Sequence, residues 1–407
     1  MSDHARAGRA DAVRAFLWMG LAAAICVQWL VQRGLGSHPP QPWTAVLPGL
    51  CILGAAFLLT WAAEAAEMDL PQSVSIGLLA LIAVLPEYAV DMYFAWKAGK
   101  DPIYTAYATA NMTGSNRLLI GIGWPAVLLA AFWKRSQRSV DLSPANALEL
   151  VSLLGATLYS FIIPIKGNLN LGDTFILVSL FGFYAYLSTK AEVSEPELEG
   201  PALAIASLPK IQRRLVVGGL FIFAATAIFL SAEPFAEGIL EAGRKFKIEE
   251  FLLVQWLAPL ASEAPEFIVA IIFALRGKAE VGMRALISSK VNQWTLLVGM
   301  LPAVYSVSSG SWAPMPMDSR QVEEMFLTSA QSLFGMVLLM NLQFTLGEAL
   351  ALAGLFLAQM FFPQSSVRYA FAGAYLVLAL GLMATQAKRR DSIMTLLGRV
   401  LAQSARS

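Results

Sequence analysis

The chain has 407 residues, of which 57% are hydrophobic and only 14% are charged, and its mean hydropathy is +0.61. This composition excludes an ordinary soluble globular domain, in which about 25% of the residues are charged. The formal net charge of +1 gives no information about a nucleic-acid partner. Cys26 and Cys51 have no metal-binding spacing, and we interpret both as small, buried apolar residues.

Apolar stretches recur along the whole chain and are separated by short polar loops. Their lengths and compositions are typical of helices that cross a lipid bilayer. The longest polar stretch, 190–212, is rich in glutamate and is interpreted as a linker. We predict twelve spans, at residues 16–32, 44–66, 72–97, 103–133, 146–165, 171–189, 213–240, 249–275, 281–306, 325–345, 347–362 and 367–386.

The basic residues predict how these spans are oriented. Of the 29 Lys and Arg residues, eighteen fall in the loops on the side of both termini and nine on the opposite side. Arg117 and Lys290 are the remaining two, and they lie inside spans. Because cytoplasmic loops carry an excess of Lys and Arg, the count predicts a multi-pass protein of the cytoplasmic membrane with both termini in the cytoplasm.

The order of the spans repeats within the chain. Residues 57–69 resemble 227–241, and residues 169–186 resemble 343–361. Five spans in each half follow in one order, and an odd number forces the halves into opposite orientations in the membrane. The sequence therefore predicts an all-α, polytopic membrane protein with two inverted five-helix repeats and one extra helix at each end. We divide the chain into a cytoplasmic N-terminus with the first span (1–43), a first repeat (44–189), a cytoplasmic linker (190–212), a second repeat (213–362), and a last span with a basic cytoplasmic tail (363–407).

Each half contains a Pro-Glu pair inside a long apolar run: Pro86-Glu87 and Pro265-Glu266. A proline removes a backbone hydrogen bond in mid-span, and the freed carbonyl groups can hold a cation where they line a cavity. A carboxylate in hydrocarbon is costly, so it indicates a functional site. Because hard cations such as Ca²⁺ prefer carboxylate and carbonyl oxygens, Glu87 and Glu266 are candidate ligands. The alternative is two proline kinks, each with a glutamate bonded to a neighbouring helix.

Two more acids lie in the same spans, and two basic residues lie in the spans that follow them. Asp91 lies one turn after the first Pro-Glu pair, and Glu263 lies one turn before the second. Asp91 either supports the ion ligands or faces the outer vestibule, and Glu263 either shares a proton with the adjacent glutamate or pairs with Lys290. A buried Lys290 or Arg117 can balance the acids as a tethered cation, or it can form a structural salt bridge to Glu263 or Asp91.

Polar residues follow each Pro-Glu pair across a short loop. The first half has Ala110-Asn111 and then Gly114-Ser115-Asn116, and the second half has Lys290-Val291-Asn292. With the Pro-Glu pairs, these segments resemble the two α-repeats of the calcium/cation antiporter superfamily, which includes the sodium/calcium exchangers. That pattern is roughly Gly-Thr-Ser-x-Pro-Glu, followed by Gly-Asn-x-x-Gly-Ser-Asn-x-x-Asn/Asp.

The resemblance implies a site for the transported metal ion, although several positions depart from the pattern. The hydroxyl pair before the first Pro-Glu is replaced by Ala83-Val84, and Ser262-Glu263 stand at that place in the second half. The last position of the pattern is Leu119 in the first half and Thr295 in the second. Ion identity and stoichiometry therefore do not carry over. The implied ion ligands are Glu87, Glu266, Ser115 and Ser262, with Asn111, Asn116 and Asn292 nearby, and Glu263 joins them by its place beside Glu266.

The sequence as a whole predicts a secondary active cation antiporter that exchanges Ca²⁺ or another cation for Na⁺ or H⁺ by alternating access. A sodium/proton antiporter and a non-transporting, ion-binding membrane protein are the alternatives. An intramembrane enzyme is a further class, but no nucleophile or paired-aspartate signature is present. We expect no cofactor and no nucleic acid, and the expected partners are inorganic cations and the lipid bilayer. The oligomeric state stays open.

Overall fold

The computed structural model describes residues 2–37, 39–69, 84–190, 198, 200–362 and 364–405, and these ranges are mostly helical. Two π-helices interrupt the α-helices, π1 (Leu119–Gly123) and π2 (Gln293–Leu297). The strands are β1 (Ser139–Asp141), β2 (Asn168–Leu169), β3 (Met315–Pro316) and β4 (Gln343–Thr345). The α-helices are α1 (Ser2–Gly34), α2 (Trp43–Ala66), α3 (Leu85–Ala98), α4 (Tyr104–Leu118), α5 (Trp124–Arg135), α6 (Ala147–Ser160), α7 (Ile162–Lys166), α8 (Leu171–Ser188), α9 (Gly200–Ala206), α10 (Lys210–Phe246), α11 (Glu250–Leu275), α12 (Ala279–Asn292), α13 (Val298–Ser309), α14 (Ser319–Leu339), α15 (Leu346–Met360), α16 (Ser365–Thr385) and α17 (Ala387–Ala405).

Nine helical segments of the described ranges are long and apolar enough to cross a membrane. Part of the predicted span 72–97 lies in residues 70–83, which are outside those ranges. The predicted span 347–362 corresponds to α15, an apolar helix of 15 residues. The all-α, polytopic class is thus confirmed, while the number of twelve spans stays a prediction.

Several predicted boundaries differ from the helices of the structure. Helix α14 begins at Ser319 rather than near 325, because Asp318 caps it and its Oδ1 accepts a hydrogen bond from Gln321 N at 2.8 Å. The predicted linker contains the short helix α9. Pro265 lies inside the continuous helix α11, whereas Pro86 stands in the first turn of α3, where its missing N–H leaves no helical bond unmade.

The chain forms two compact units. Unit 1 comprises Met1–Tyr93, Ala191–Leu253 and Leu260–Pro265. Unit 2 comprises Phe94–Lys190, Val254–Pro259 and Glu266–Ser407. Each unit therefore takes segments from both predicted repeats. The predicted domain boundaries follow the sequence repeats and stay a prediction.

Unit 1 packs α1, α2 and α10 around a small apolar core that includes both cysteines. Cys26 and Cys51 are free and fully buried, as predicted, and Cys26 Sγ donates to the Cys51 carbonyl at 3.3 Å. At the end of α2, Asp69 accepts hydrogen bonds from Arg213 and Arg214 at 2.6 and 3.1 Å. The Arg213 guanidinium beside it lowers the pKa of Asp69 to about 2.

Unit 2 contains paired features that correspond between the two repeats. Helices α8 and α15 both begin with a capping box, Asn170 with Asp173 and Thr345 with Glu348. In the first repeat, β1 precedes α6 and β2 precedes α8. In the second repeat, β3 precedes α14 and β4 precedes α15 in the same order. The pairing is crossed, since β1 pairs with β4 and β2 with β3, both antiparallel. Such an exchange is what a local two-fold axis between the repeats produces.

Candidate ion-binding site

Helix α4 of unit 2 carries most of the predicted amide and hydroxyl ligands. Asn111, Ser115 and Asn116 are all fully buried. Asn111 and Ser115 are one turn apart, so they share a face of the helix, and Ser115 Oγ donates to the Asn111 carbonyl at 3.0 Å. Asn116 Nδ2 donates to the Met112 carbonyl at 2.8 Å, which directs its Oδ1 away from that carbonyl.

A π-helix follows the polar segment in each repeat. Helix π1 begins three residues after Asn116, and π2 begins three residues after Lys290. Single π-turns inside α-helices are frequent at functional sites. Counted from the π-helices, Asn116 corresponds to Lys290 and Ser115 to Ser289, whereas the sequence comparison placed Asn292 opposite Asn116.

Lys290 contacts the residue to which it corresponds. Its Nζ donates to the Asn116 backbone carbonyl at 3.2 Å and also to Asn116 Oδ1. The ammonium lies 4.3 Å from the centre of the Trp294 ring, and the side chain is fully buried. The structure therefore brings Lys290 and Asn116 together, while the alternative salt bridge to Glu263 stays a prediction.

Arg117 forms an ion pair with a residue that the sequence analysis did not identify. Its guanidinium pairs with Glu324 of α14, and both side chains are 4% exposed. The guanidinium carbon lies 5.0 Å from the centre of the Trp256 ring, and Gln255 Nε2 donates to Glu324 Oε2 at 2.9 Å. The sequence predicted Asp91 or Glu263 as the partner of Arg117 in a structural salt bridge. In unit 2 its partner is Glu324 instead.

The predicted acids lie on α3 and α11. Glu87 and Asp91 occupy successive turns of α3 and are 2% and 0% exposed. On α11, Ser262 and Glu263 are buried in unit 1, and Glu266 is a half-buried residue of unit 2. Asn292, at the end of α12, is 2% exposed. Every predicted site residue except Glu266 is thus buried.

The structure adds candidates that the sequence comparison missed. Counting from π2 places Ser289 at the serine position of the family pattern and Gln293, fully buried, at its last Asn/Asp position. Aligning the two repeats with the second shifted by two residues, so that Asn116 stands opposite Lys290 instead of Asn292, could have revealed both residues from the sequence. Within the described ranges no group of three or more His, Cys, Asp or Glu residues is arranged to hold a metal ion.

Comparison with known proteins identifies the family. The family model described as sodium/calcium exchanger protein matches residues 41–190 and 216–363. The chain belongs to the sodium/calcium exchanger family. This membership confirms the prediction that the chain belongs to the calcium/cation antiporter superfamily. The family consists of transporters rather than enzymes, and the chain is a cation antiporter.

Solved structures of exchangers share the fold of the chain. The H⁺/Ca²⁺ exchanger CAX, known from a crystal structure, shares 45% sequence identity with this chain. The TM-score is 0.94, and the match covers 97% of this chain and 100% of that one. Native YfkE is 16% identical, with a TM-score of 0.60 over 89% and 100% of the two chains. The sodium-calcium exchanger NCX_Mj is 15% identical, with a TM-score of 0.53 over 78% and 97%. The last two similarities concern the fold alone. No curated protein matches the chain.

Proposed function

We propose that the chain exchanges Ca²⁺ for H⁺ across the cytoplasmic membrane by alternating access. The observation that carries this proposal is the 45% identity with the H⁺/Ca²⁺ exchanger CAX over 97% of the chain. At that identity and coverage the two proteins are similar over the whole transport core and not in one motif only. The similarity to the sodium-calcium exchanger NCX_Mj, at 15% identity, concerns the fold alone, so the choice of the proton over Na⁺ as the coupling ion rests on the similarity to CAX.

The proposed ion ligands are the acids of the two Pro-Glu pairs with the hydroxyl and amide groups that the family pattern places beside them. Glu87 and Glu266 supply the negative charge that compensates a divalent cation for its lost water. Ser115, Ser262 and Asn111 supply neutral oxygens, and Glu263 adds a carboxylate next to Glu266. Buried carboxylates suit both Ca²⁺ and H⁺, because each group can hold either the metal ion or a proton. Asn116 and Asn292 complete the proposed ligands, and Asp91 is proposed as a coupling or charge-balancing residue beside them.

Transport by purified protein in liposomes tests this function. With a Ca²⁺ gradient imposed, we expect Ca²⁺ movement to drive protons in the opposite direction, read by a pH-sensitive dye inside the liposomes. Replacing Na⁺ or K⁺ on either side by N-methylglucamine should not change the rate. A Na⁺ gradient that drives protons without Ca²⁺ would establish a sodium/proton antiporter instead. Bound ⁴⁵Ca²⁺ without any flux would indicate a non-transporting protein.

Substitution of the acids tests the site. Glu87→Gln and Glu266→Gln keep the shape of each side chain but remove its charge, so we expect each to lower Ca²⁺ flux by about 100-fold or more, the equivalent of about 3 kcal/mol. Glu250→Gln is the matched control on α11, because Glu250 Oε1 lies 3.2 Å from Nε of the exposed Arg244 and neither residue belongs to the proposed ligands. Normal flux in Glu87→Gln and Glu266→Gln would exclude the proposed ligands.

A further inference from the structure

A cavity of unit 2 lies between the end of α5, the strand pair β1–β4 and the start of α15. Its volume is about 580 Å³, which is within the range of ligand-binding pockets. The polar residues Arg138, Ser139 and Gln343 line it together with the apolar residues Phe132 and Leu350. The cavity therefore combines a cationic group, neutral hydrogen-bonding groups and an apolar wall.

This cavity lies where the chain leaves the membrane. One candidate span ends at Arg135 and the next begins at Ala147, so Arg138 lies in the loop between two spans. Leu350 belongs to the apolar helix α15 and is 54% exposed, and Phe132 at the end of α5 is 36% exposed. In a bilayer, a loop between spans lies among the lipid headgroups, and exposed apolar side chains of the helices contact the acyl chains. The cationic group is thus at the level of the headgroups, and the apolar wall leads toward the acyl chains.

The corresponding segment of the second repeat provides an internal comparison. Helices α5 and α13 both end before a residue in the left-handed conformation, Ser136 and Gly310, and a strand follows each. Residues 134–140 include three basic residues, whereas residues 308–315 include no charged residue. The same backbone framework therefore carries cations in one repeat only, and the strand pairing does not itself require Arg138.

The charged groups around the cavity favour an anionic ligand. The acids on its two flanking elements have partners within the protein: Glu348 of α15 pairs with Arg389, and Asp141 at the far end of β1 accepts a hydrogen bond from Gln343 Nε2 at 2.8 Å. Helix α15 begins at the cavity, and the positive end of its dipole adds to the charge of Arg138.

We propose that this cavity binds an anionic phospholipid. The guanidinium of Arg138 holds the phosphate, because its planar set of N–H donors matches phosphate oxygens. Ser139 and Gln343 bind hydroxyl groups of the headgroup, and the acyl chains lie along Phe132 and Leu350. A zwitterionic lipid would bring its own cationic group toward Arg138, so phosphatidylglycerol is preferred over phosphatidylcholine and phosphatidylethanolamine. No proposed Ca²⁺ ligand lines the cavity, and the inference does not depend on Ca²⁺/H⁺ exchange.

The test compares the three lipids on the purified full-length protein in detergent, without Ca²⁺. We expect phosphatidylglycerol to raise the melting temperature by about 3 °C more than the other two, because a ligand that binds only the folded state stabilises it. Arg138→Gln should abolish this difference. Arg399→Gln is the matched control, since it removes the same charge from an exposed position of α17, and it should keep the difference. An equal rise with all three lipids would overturn the proposal.

A second pair of variants tests the cavity with every charge in place. Gly347 lines the cavity, and in the described part of the chain no atom lies within 4 Å of a Cβ added to it. Gly347→Phe should fill the space and lose the response to phosphatidylglycerol, whereas Gly347→Ala should keep it. A full response in both Arg138→Gln and Gly347→Phe would contradict the site.

Glycerol 1-phosphate distinguishes a lipid from a free phosphate ester. It carries the same phosphate without acyl chains, so at the same concentration it should leave the melting temperature of the parent chain unchanged. A rise as large as that with phosphatidylglycerol would assign the cavity to soluble phosphate esters and overturn the proposed lipid. Because these measurements involve no transport, failure of Ca²⁺/H⁺ exchange in liposomes is a separate outcome.

Discussion

The Arg117–Glu324 ion pair shows how single residues secure the polar interior of unit 2. The carboxylate of Glu324 also accepts a hydrogen bond from Gln255, and Gln331 Nε2 donates to the Arg117 backbone carbonyl at 3.0 Å. Removing two charges from water is costly, and the pair is maintained by these additional bonds. Arg117 alone would be a buried charge without this countercharge, and Glu324 alone would keep the more distant Arg368, whose Nη1 lies 3.9 Å from Glu324 Oε1.

Loss of one partner should therefore be far more damaging than loss of both. We expect Arg117→Met or Glu324→Met to lower the free energy of unfolding by about 3–5 kcal/mol, and the double variant to recover a large part of that loss. Thermal unfolding in detergent, followed by tryptophan fluorescence, measures all three. Single variants as stable as the parent chain would contradict the importance of the pair.

An exposed ion pair supplies the control for this cycle. Arg244 Nε lies 3.2 Å from Glu250 Oε1, and the two side chains are 61% and 27% exposed. Exposed pairs contribute about 0–1 kcal/mol, so Arg244→Met and Glu250→Met should hardly change the melting temperature.

At the residue scale, the sequence revealed the charged groups but not their partners. Arg117 stands out because a guanidinium in an apolar span is rare. Its partner Glu324 is 207 positions away and lies before the apolar run of its helix, so it was assigned to a loop. Local patterns carry no information on a contact across that distance, and only the fold supplies it.

At the scale of helices, α4 and α11 cross at Gly114. A Cβ atom added to Gly114 would lie 1.8 Å from the Gln255 carbonyl oxygen, which is backbone and cannot move aside like the end of a side chain. The side chain of the same Gln255 reaches Thr113 Oγ1 at 3.5 Å and Glu324 at 2.9 Å. The glycine thus lets the backbones approach closely, and the glutamine fixes the contact.

Gly114→Ala should consequently force the two helices apart. We expect a loss of about 3 kcal/mol or more in the free energy of unfolding, or a protein that does not accumulate in the membrane. Gly155→Ala in α6 is the matched control, because no atom lies within 4 Å of its added Cβ and alanine favours a helix by about 1 kcal/mol. Equal melting temperatures of the two variants would show that the crossing at Gly114 is not tight.

The helices themselves were largely predictable, since apolar length and polar loops determine them. Helix α8 matches the predicted span 171–189 within one residue, and α11 matches 249–275 equally well. The π-helices were not predictable, because their residues are as apolar as those of the flanking α-helices and no composition separates the two. The correspondence of Lys290 with Asn116 follows from the π-helices, so this part of the site required the structure.

At the scale of the whole molecule, the repeat predicted the architecture and the family confirmed it. Five spans per half predicted inverted repeats, and the crossed strand pairs of unit 2 show the exchange that a two-fold relation requires. The division into compact units could not be read from the repeat. Each unit combines segments of both halves, because packing joins helices that are distant in sequence.

The orientation of the chain in the membrane is the remaining prediction at this scale. Trp312 follows α13, is 87% exposed, and lies on the predicted external side. Lys388 lies at the start of α17, in the basic tail that the excess of Lys and Arg places in the cytoplasm. In intact cells, Trp312→Cys should react with a membrane-impermeant maleimide, and Lys388→Cys should react only after the membrane is permeabilised. The parent chain is the control, because Cys26 and Cys51 are fully buried and should stay unlabelled in both conditions. Labelling of Lys388→Cys but not of Trp312→Cys in intact cells would reverse the predicted orientation.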